Sequence, residues 1–241
     1  MLKIICLILL FFSPYPLLAH IILLDPGHGG DDVGAQKKVN GVLYKEKDLT
    51  LQMAMEMGKV LQNFGHKIYY TRTNDLNISL IKRSKLADEI KADIVLSIHL
   101  NSTKNALIQG IELYYLDGVQ GKVLNRFHEK DFKVTNSKDP VINSIVNQVI
   151  IKECTQQSKN LALNIHQQLS KKHFKVYQLK DRGIRPGVFY VLTFSKRPAV
   201  LLEIGFMSSV QELEKMIKKE YQISFANALA TGVKDYFLKR F

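Results

Sequence analysis

Cysteine is scarce in this chain, and its placement removes two classes of site. There are two cysteines, Cys6 and Cys154. Cys6 lies inside an apolar run near the N-terminus, with no small-residue lipobox ahead of it, so a lipid-anchored N-terminus is not indicated. If that segment is cleaved off, Cys154 stands alone. A lone cysteine makes no internal disulfide and supplies no cysteine-rich zinc site. Any metal must then rest on His, Asp or Glu. Other absences narrow the field further. No segment recurs at a fixed period, which argues against a solenoid. The apolar run Ile4–Phe12 is too short to span a bilayer comfortably. H-E-x-x-H is missing. The glycine-rich stretch Gly27-His28-Gly29-Gly30-Asp31-Asp32 does not fit G-x-G-x-x-G, and its two carboxylates would repel phosphate.

What remains is an ordinary globular composition, with 46% hydrophobic and 23% charged residues over 241 positions, enough for one α/β domain with a sizeable core. The N-terminus differs from the rest. Lys3 is its only charge, Ile4–Phe12 is apolar, Pro14 and Pro16 break the run, and Leu17-Leu18-Ala19 closes it. These are the parts of a secretory signal peptide, expected at 1–19 with cleavage after Ala19. The exported chain, 20–241, would then carry no stable membrane span. The net charge of +12 favours salt-sensitive association with polyanions. Export favours the anionic wall or outer leaflet over nucleic acid. Solvated lysines such as Lys215, Lys218 and Lys219 would give the same balance, so charge assigns no partner by itself.

The pattern of apolar residues alternates strands with helices. His20–Asp25, Lys67–Thr71, Asp93–Ile98, Gly110–Leu116, Val188–Thr193 and Ala199–Glu203 read as strands. Lys45–Phe64, Ser79–Ile90 and Leu161–His173 read as helices, and Val210–Phe237 as one or two more. This order predicts an α/β fold of three layers, a mostly parallel or mixed sheet flanked by helices. Asp117–Gln157 departs from the order. It is charged and mixed as far as Asp139 and then turns apolar over Val141–Ile151, a helical insertion too long for an ordinary connection.

Open sheets build sites beyond the C-terminal ends of their strands. Three expected strand ends carry a metal-capable residue: His28 after the first strand, His99 after DIVLSI, and Glu203 at the end of AVLLE. Glu46, at the start of the first long helix, is a fourth candidate. A catalytic zinc typically takes three protein ligands and leaves a position for water, and two His with one Glu is a known set. Glycines beside His28 let the backbone turn sharply. Asp25 or a nearby carbonyl could orient the imidazole. His66, His166 and His173 read as structural histidines.

Several segments carry a family resemblance: LLDPGHGGDDVGA, YKEKDLTL, YYTRTNDLNISLIKRSKLADEIKADIVLSIHLNS, GIELYYL and RPAVLLEIGFMSS. In this order, across nearly the whole exported chain, they resemble the signatures of the zinc-dependent N-acetylmuramoyl-L-alanine amidases, the family typified by bacterial cell-division amidases. Leu100 departs from it, standing where a small residue is commoner.

The resemblance implies Zn2+ as cofactor, one per chain, with His28, Glu46 and His99 as ligands and Glu203 as the catalytic glutamate. It implies hydrolysis of the amide between N-acetylmuramic acid and L-alanine in peptidoglycan, in the periplasm. The alternatives are a zinc peptidase acting on the stem peptide and an inactive wall-binding protein. No wall-binding repeat is recognisable. By the same resemblance, the insertion at 117–157 is expected to be regulatory. It would cover the zinc cleft until a coiled-coil activator protein draws it away. Apart from the resemblance, Glu129 or His128 is a candidate to reach the open metal position, and the alternative is that the apolar stripe of Val141–Ile151 packs permanently as core.

Overall fold

Apolar runs bounded by turn residues become the strands of one six-stranded sheet. The computed structural model describes residues 19–116, 140–193 and 195–239, with side chains placed there except at 140–148 and 151. Its strands are β1 (Ile21–Pro26), β2 (Gln36–Val39), β3 (Val42–Lys45), β4 (Lys67–Tyr70), β5 (Ile94–Asn101), β6 (Ile111–Tyr115), β7 (Asp181–Pro186) and β8 (Ala199–Phe206). Its helices are α1 (Glu46–Asn63), α2 (Leu80–Glu89), α3 (Pro140–Gln168), α4 (Phe174–Tyr177), α5 (Tyr190–Thr193), α6 (Val210–Met216) and α7 (Lys219–Lys239). A π-helical turn, Leu169–His173, joins α3 to α4.

The sheet order is β4-β1-β5-β8-β6-β7. The first four strands in that order are mutually parallel. β6 runs antiparallel to β8, and β7 is parallel to β6. The sheet is therefore mixed, and its direction reverses between β8 and β6.

Side chains alternate across a strand, and the alternation separates two cores. Ile22, Leu24, Ile94, Leu96, Ile98, Val200, Leu202 and Ile204 face α1, α3 and α7. Leu23, Val95, Ala199 and Leu201 face α2 and α5. That makes three layers, and it explains why β8 is buried along its whole length. The helices follow from the same spacing. Leu49, Met53, Met57 and Leu61 recur every fourth residue on α1 and are all buried. Ser79 caps α2, its hydroxyl accepting from the backbone N–H of Lys82.

The structure corrects the sequence reading at four places. Val188–Thr193 is not a strand: Tyr190–Thr193 forms one helical turn that buries Val191 and Leu192. The outermost strand on that side is the polar segment Asp181–Pro186, where no strand was expected. A hairpin, β2 with β3, precedes α1. Its turn holds Asn40 and Gly41 at φ 49° and 81°, the geometry for which Asn-Gly is preferred. Val141–Ile151 and Leu161–Gln168, read as parts of separate helices, share one helix, α3, and the rest of the second, Leu169–His173, is the π-helical turn. The signal segment at 1–19 lies outside the described residues but for its last position, as does 117–139 of the insertion. Among the described residues no helix is long and apolar enough to cross a membrane.

Candidate metal centre and active site

β1 delivers the chain into a tight loop. Past Pro26 the backbone turns through His28 at φ 61°, Gly29 at 129° and Gly30 at 60°. Left-handed φ is unfavourable for a histidine. The turn nevertheless puts its ring beside the start of α1, where Nε2 stands 3.0 Å from Glu46 Oε1. β5 brings the third group: His99 Nδ1 lies 3.1 Å from the same oxygen. The ligand atoms of His28, Glu46 and His99 all fall within 4.8 Å of one another, the one such cluster among the described residues.

Each member is held from behind. His28 Nδ1 lies 2.9 Å from Asp32 Oδ1, so Asp32 orients this ring and leaves Nε2 toward the cluster. Asp25, the carboxylate expected for that task, is instead buried beneath the loop with Thr71, Arg83 and Ser97. Glu46 accepts from two backbone N–H groups, Ala35 at Oε2 (2.9 Å) and Leu100 at Oε1 (3.0 Å). Burial alone would raise its pKa, but the hydrogen bonds from His28 and His99 outweigh that and hold the carboxyl well below the usual range. Glu46 is thus an anion at neutral pH, as a metal ligand must be. His66, His166 and His173 do not join the cluster. His66 and His173 are buried, and His166 pairs with Asp181.

Glu203 stands beside the cluster. In register, His99 on β5 pairs with Glu203 on β8, and Glu203 pairs with Glu112 on β6. Residues paired in this way share a face of the sheet, so one row of polar side chains crosses three strands. Glu203 is 9% exposed, and among the described residues its buried Oε2 has no hydrogen-bond partner. Burial pushes its pKa up to about 7, against the opposing pull of His99 and with a further push from Glu46 and Glu112. Glu112 stays low. Burial acts to raise it, but Tyr114 and Arg182 bond its two oxygens and prevail.

A carboxyl poised near neutrality, beside two imidazoles and an ionised carboxylate, suits metal-assisted hydrolysis. The chain matches the model of the N-acetylmuramoyl-L-alanine amidases over residues 22–235. It belongs to that family. It is 28% identical over 222 residues to the N-acetylmuramoyl-L-alanine amidase AmiA of Escherichia coli, covering 90% of this chain and 76% of AmiA. A crystal structure of an N-acetylmuramoyl-L-alanine amidase from Clostridium difficile superposes with a TM-score of 0.71 at 30% identity, covering 92% of this chain and 99% of that one. The catalytic domain of CwlV, an amidase of Paenibacillus polymyxa, gives 0.68 at 27% identity, covering 90% and 98%.

As an amidase of this family, the chain hydrolyses the amide bond between N-acetylmuramic acid and L-alanine in peptidoglycan. The four candidates named from the sequence, His28, Glu46, His99 and Glu203, are brought together by the fold. The sequence reading missed Asp32, Glu112, Arg72 and Arg83. Asp32 had a readable signal, a carboxylate four residues after His28 in a glycine-rich turn. The others are brought in only by the fold.

Proposed function

We propose that the amidase reaction runs on a zinc ion held by His28, Glu46 and His99, with Glu203 as general base and then general acid. One observation carries this reading: two imidazole nitrogens and a carboxylate oxygen converge within 4.8 Å, beside a buried glutamate oxygen that no described residue satisfies. The donor set of two His and one Glu fits zinc. Among the described residues, no second cluster competes for the ion.

A zinc ion at this position would supply Lewis acidity, which polarises the scissile carbonyl and brings a water's pKa toward neutrality. The protein's own groups do the rest. Asp32 fixes the tautomer of His28. Ala35 and Leu100 fix the carboxylate of Glu46. Glu203 takes a proton from the attacking water and returns it to the L-alanine nitrogen as the C–N bond breaks. The glycan strand keeps a free lactyl carboxylate, and the stem peptide leaves with a free amine.

The test uses metal-stripped protein on purified sacculi. Zinc should restore release of intact stem peptides, read by mass spectrometry of the new ends. Shortened stems would mean a peptidase, and no release at any zinc level would mean a wall-binding protein.

Around this core we read an exported enzyme. The segment 1–19 serves as a signal peptide for delivery across the inner membrane to the periplasm, and 20–241 is the catalytic domain. Residues 117–157 serve as a regulatory insertion that holds the enzyme back until an activator protein, coiled-coil in type, withdraws it. Two features support the regulatory reading: the length of the insertion and the apolar run Val141–Ile151, which stands at the head of α3.

A further inference from the structure

Two arginines that touch none of the cluster's side-chain ligand atoms hold the loop that carries it. Arg83, on α2, donates from Nη1 to the carbonyl of Pro26 (2.7 Å) and from Nη2 to that of His28 (2.7 Å). Arg72, just past β4, donates from Nε to Pro26 (3.1 Å) and from Nη2 to Gly27 (2.8 Å). Three successive carbonyls therefore end on two guanidinium groups. Both arginines are nearly fully buried, at 3% for Arg72 and 4% for Arg83. Neither offers a face to substrate.

Arg72 does one thing more. The same Nη2 that holds Gly27 also donates to the carbonyl of Lys47 at 2.7 Å. Gly27 adjoins His28, and Lys47 adjoins Glu46. One nitrogen thus ties the chain beside one ligand to the chain beside another. Thr50 reinforces the tie, its hydroxyl standing 2.9 Å from the Gly27 carbonyl and 3.1 Å from that of Lys47. Beneath them Asp25, 1% exposed, pairs with Arg83 at 2.7 Å and takes hydroxyl hydrogen bonds from Thr71 and Ser97. Burying a guanidinium is costly unless its N–H groups are satisfied. Here, among the described residues, four of their nine hydrogen bonds end on backbone carbonyls of the one loop where a ligand sits at an unfavourable φ.

We propose that Arg72 and Arg83 are positioning residues of the metal centre. They hold His28 in its left-handed turn and set its separation from Glu46, so affinity for the ion depends on the planar fork of the guanidinium. Lysine keeps the charge but, as a single ammonium, cannot span carbonyls of different residues in a fixed plane. This inference rests on the zinc reading of His28, Glu46 and His99.

The test is made on the full chain with Arg72→Lys and Arg83→Lys. Zinc affinity is measured by competition with a chromophoric chelator. The visible spectrum of cobalt-loaded protein reports the ligand geometry, and thermal unfolding of the metal-free protein reports the fold. We expect folded variants whose zinc affinity falls at least tenfold and whose cobalt bands shift. Wild-type affinity and an unchanged cobalt spectrum in either folded variant would overturn the proposal. Should both lysine variants fail to fold, Thr50→Val carries the test, with a two- to fivefold weaker affinity expected and wild-type affinity overturning it. A wild-type chain that takes up no zinc would remove the metal reading itself and the proposal with it. That outcome is distinct from one in which wild type and variants bind alike.

Discussion

Gly27 and His99 compete for one volume. A Cβ at position 27 would stand 2.3 Å from Cε1 of the His99 ring and 2.6 Å from each of its nitrogens. The position of this imidazole in the cluster requires that residue 27 have no side chain. Its cause is close approach, and the fix is local. Gly27→Ala should displace the His99 ring and lower zinc affinity by tenfold or more, while the two cores of the sheet are untouched. Equilibrium dialysis against zinc, with circular dichroism as the control for folding, checks this. Wild-type zinc binding by Gly27→Ala would show that the ring has another place to go.

Zinc content should be near one per chain. His99→Ala should lose it, because one of three donors is gone. Glu203→Gln should retain it and lose turnover by about 100-fold or more, the scale expected for removal of a general acid–base. The two variants separate binding from chemistry. Near-normal hydrolysis of sacculi by Glu203→Gln would assign the base elsewhere.

The pair Glu112–Arg182 should behave as a buried carboxylate with its counter-ion. Glu112 is 2% exposed, and Arg182 reaches it from the neighbouring strand. Arg182→Met leaves the carboxylate with the Tyr114 hydrogen bond and the more distant charge of Arg185, and should cost about 2 kcal/mol, below the range for a fully buried pair because Arg182 is partly solvated. Adding Glu112→Gln to that variant should recover part of the loss. Urea unfolding of the two single variants and the double variant measures this coupling, and additive effects would mean that the pair is not coupled.

Acid should destabilise the fold through His173. This ring is fully buried in the π-helical turn, with Nδ1 at 3.0 Å from the Ser224 hydroxyl, and burial pushes its pKa down to about 3. In the unfolded chain it takes up a proton near pH 6.5. Between those values the unfolded state binds more protons than the folded state, so stability falls as pH falls. From pH 7 to pH 5 the contribution lost is about 2 kcal/mol. His173→Phe should flatten that pH dependence in urea titrations at the two pH values. An unchanged slope would move the acid sensitivity to another group.

Removing Gly118–Gln156 should raise the rate on sacculi if the insertion restrains the enzyme. The cut stops short of Ser158, whose hydroxyl accepts from the backbone N–H of Ala199 and so fastens α3 to β8. Equal or lower activity, at matched zinc content and with folding intact, would leave the segment without a regulatory role.

The central strands were legible in the sequence because strands buried on both faces must be continuously apolar. β1, β5 and β8 announce themselves that way. β7 did not, because an edge strand needs no such run, and DRGIRP is polar with one buried-side residue to offer. Tyr190–Thr193 misled for the opposite reason: a β-branched, apolar segment serves as a helical turn when the two residues it must bury, Val191 and Leu192, both face α2 and β8. The hairpin before α1 had a signal in Asn40-Gly41 that its short, exposed strands obscured. At the site, His28, Glu46, His99 and Glu203 were recognisable by motif. Glu112 was not, since its place beside Glu203 depends on β6 running backwards, which no local pattern records. Asp32 replaced Asp25 as the partner of His28 because the Asp25 carboxylate was already taken by Arg83.

The anchoring of Glu46 has a practical consequence for probing this enzyme. Its carboxylate fastens the base of the β2–β3 hairpin, through Ala35, to the end of β5, through Leu100. A substitution there would unpin two backbone segments in the same stroke as it removes a ligand. Any loss of activity would then mix an empty site with a slackened frame. Among the described residues, no backbone N–H donates to the ring of His28 or His99. Changes at the two histidines are therefore the clean instruments for asking what the ion contributes, and Glu46 is the residue whose replacement will always overstate it.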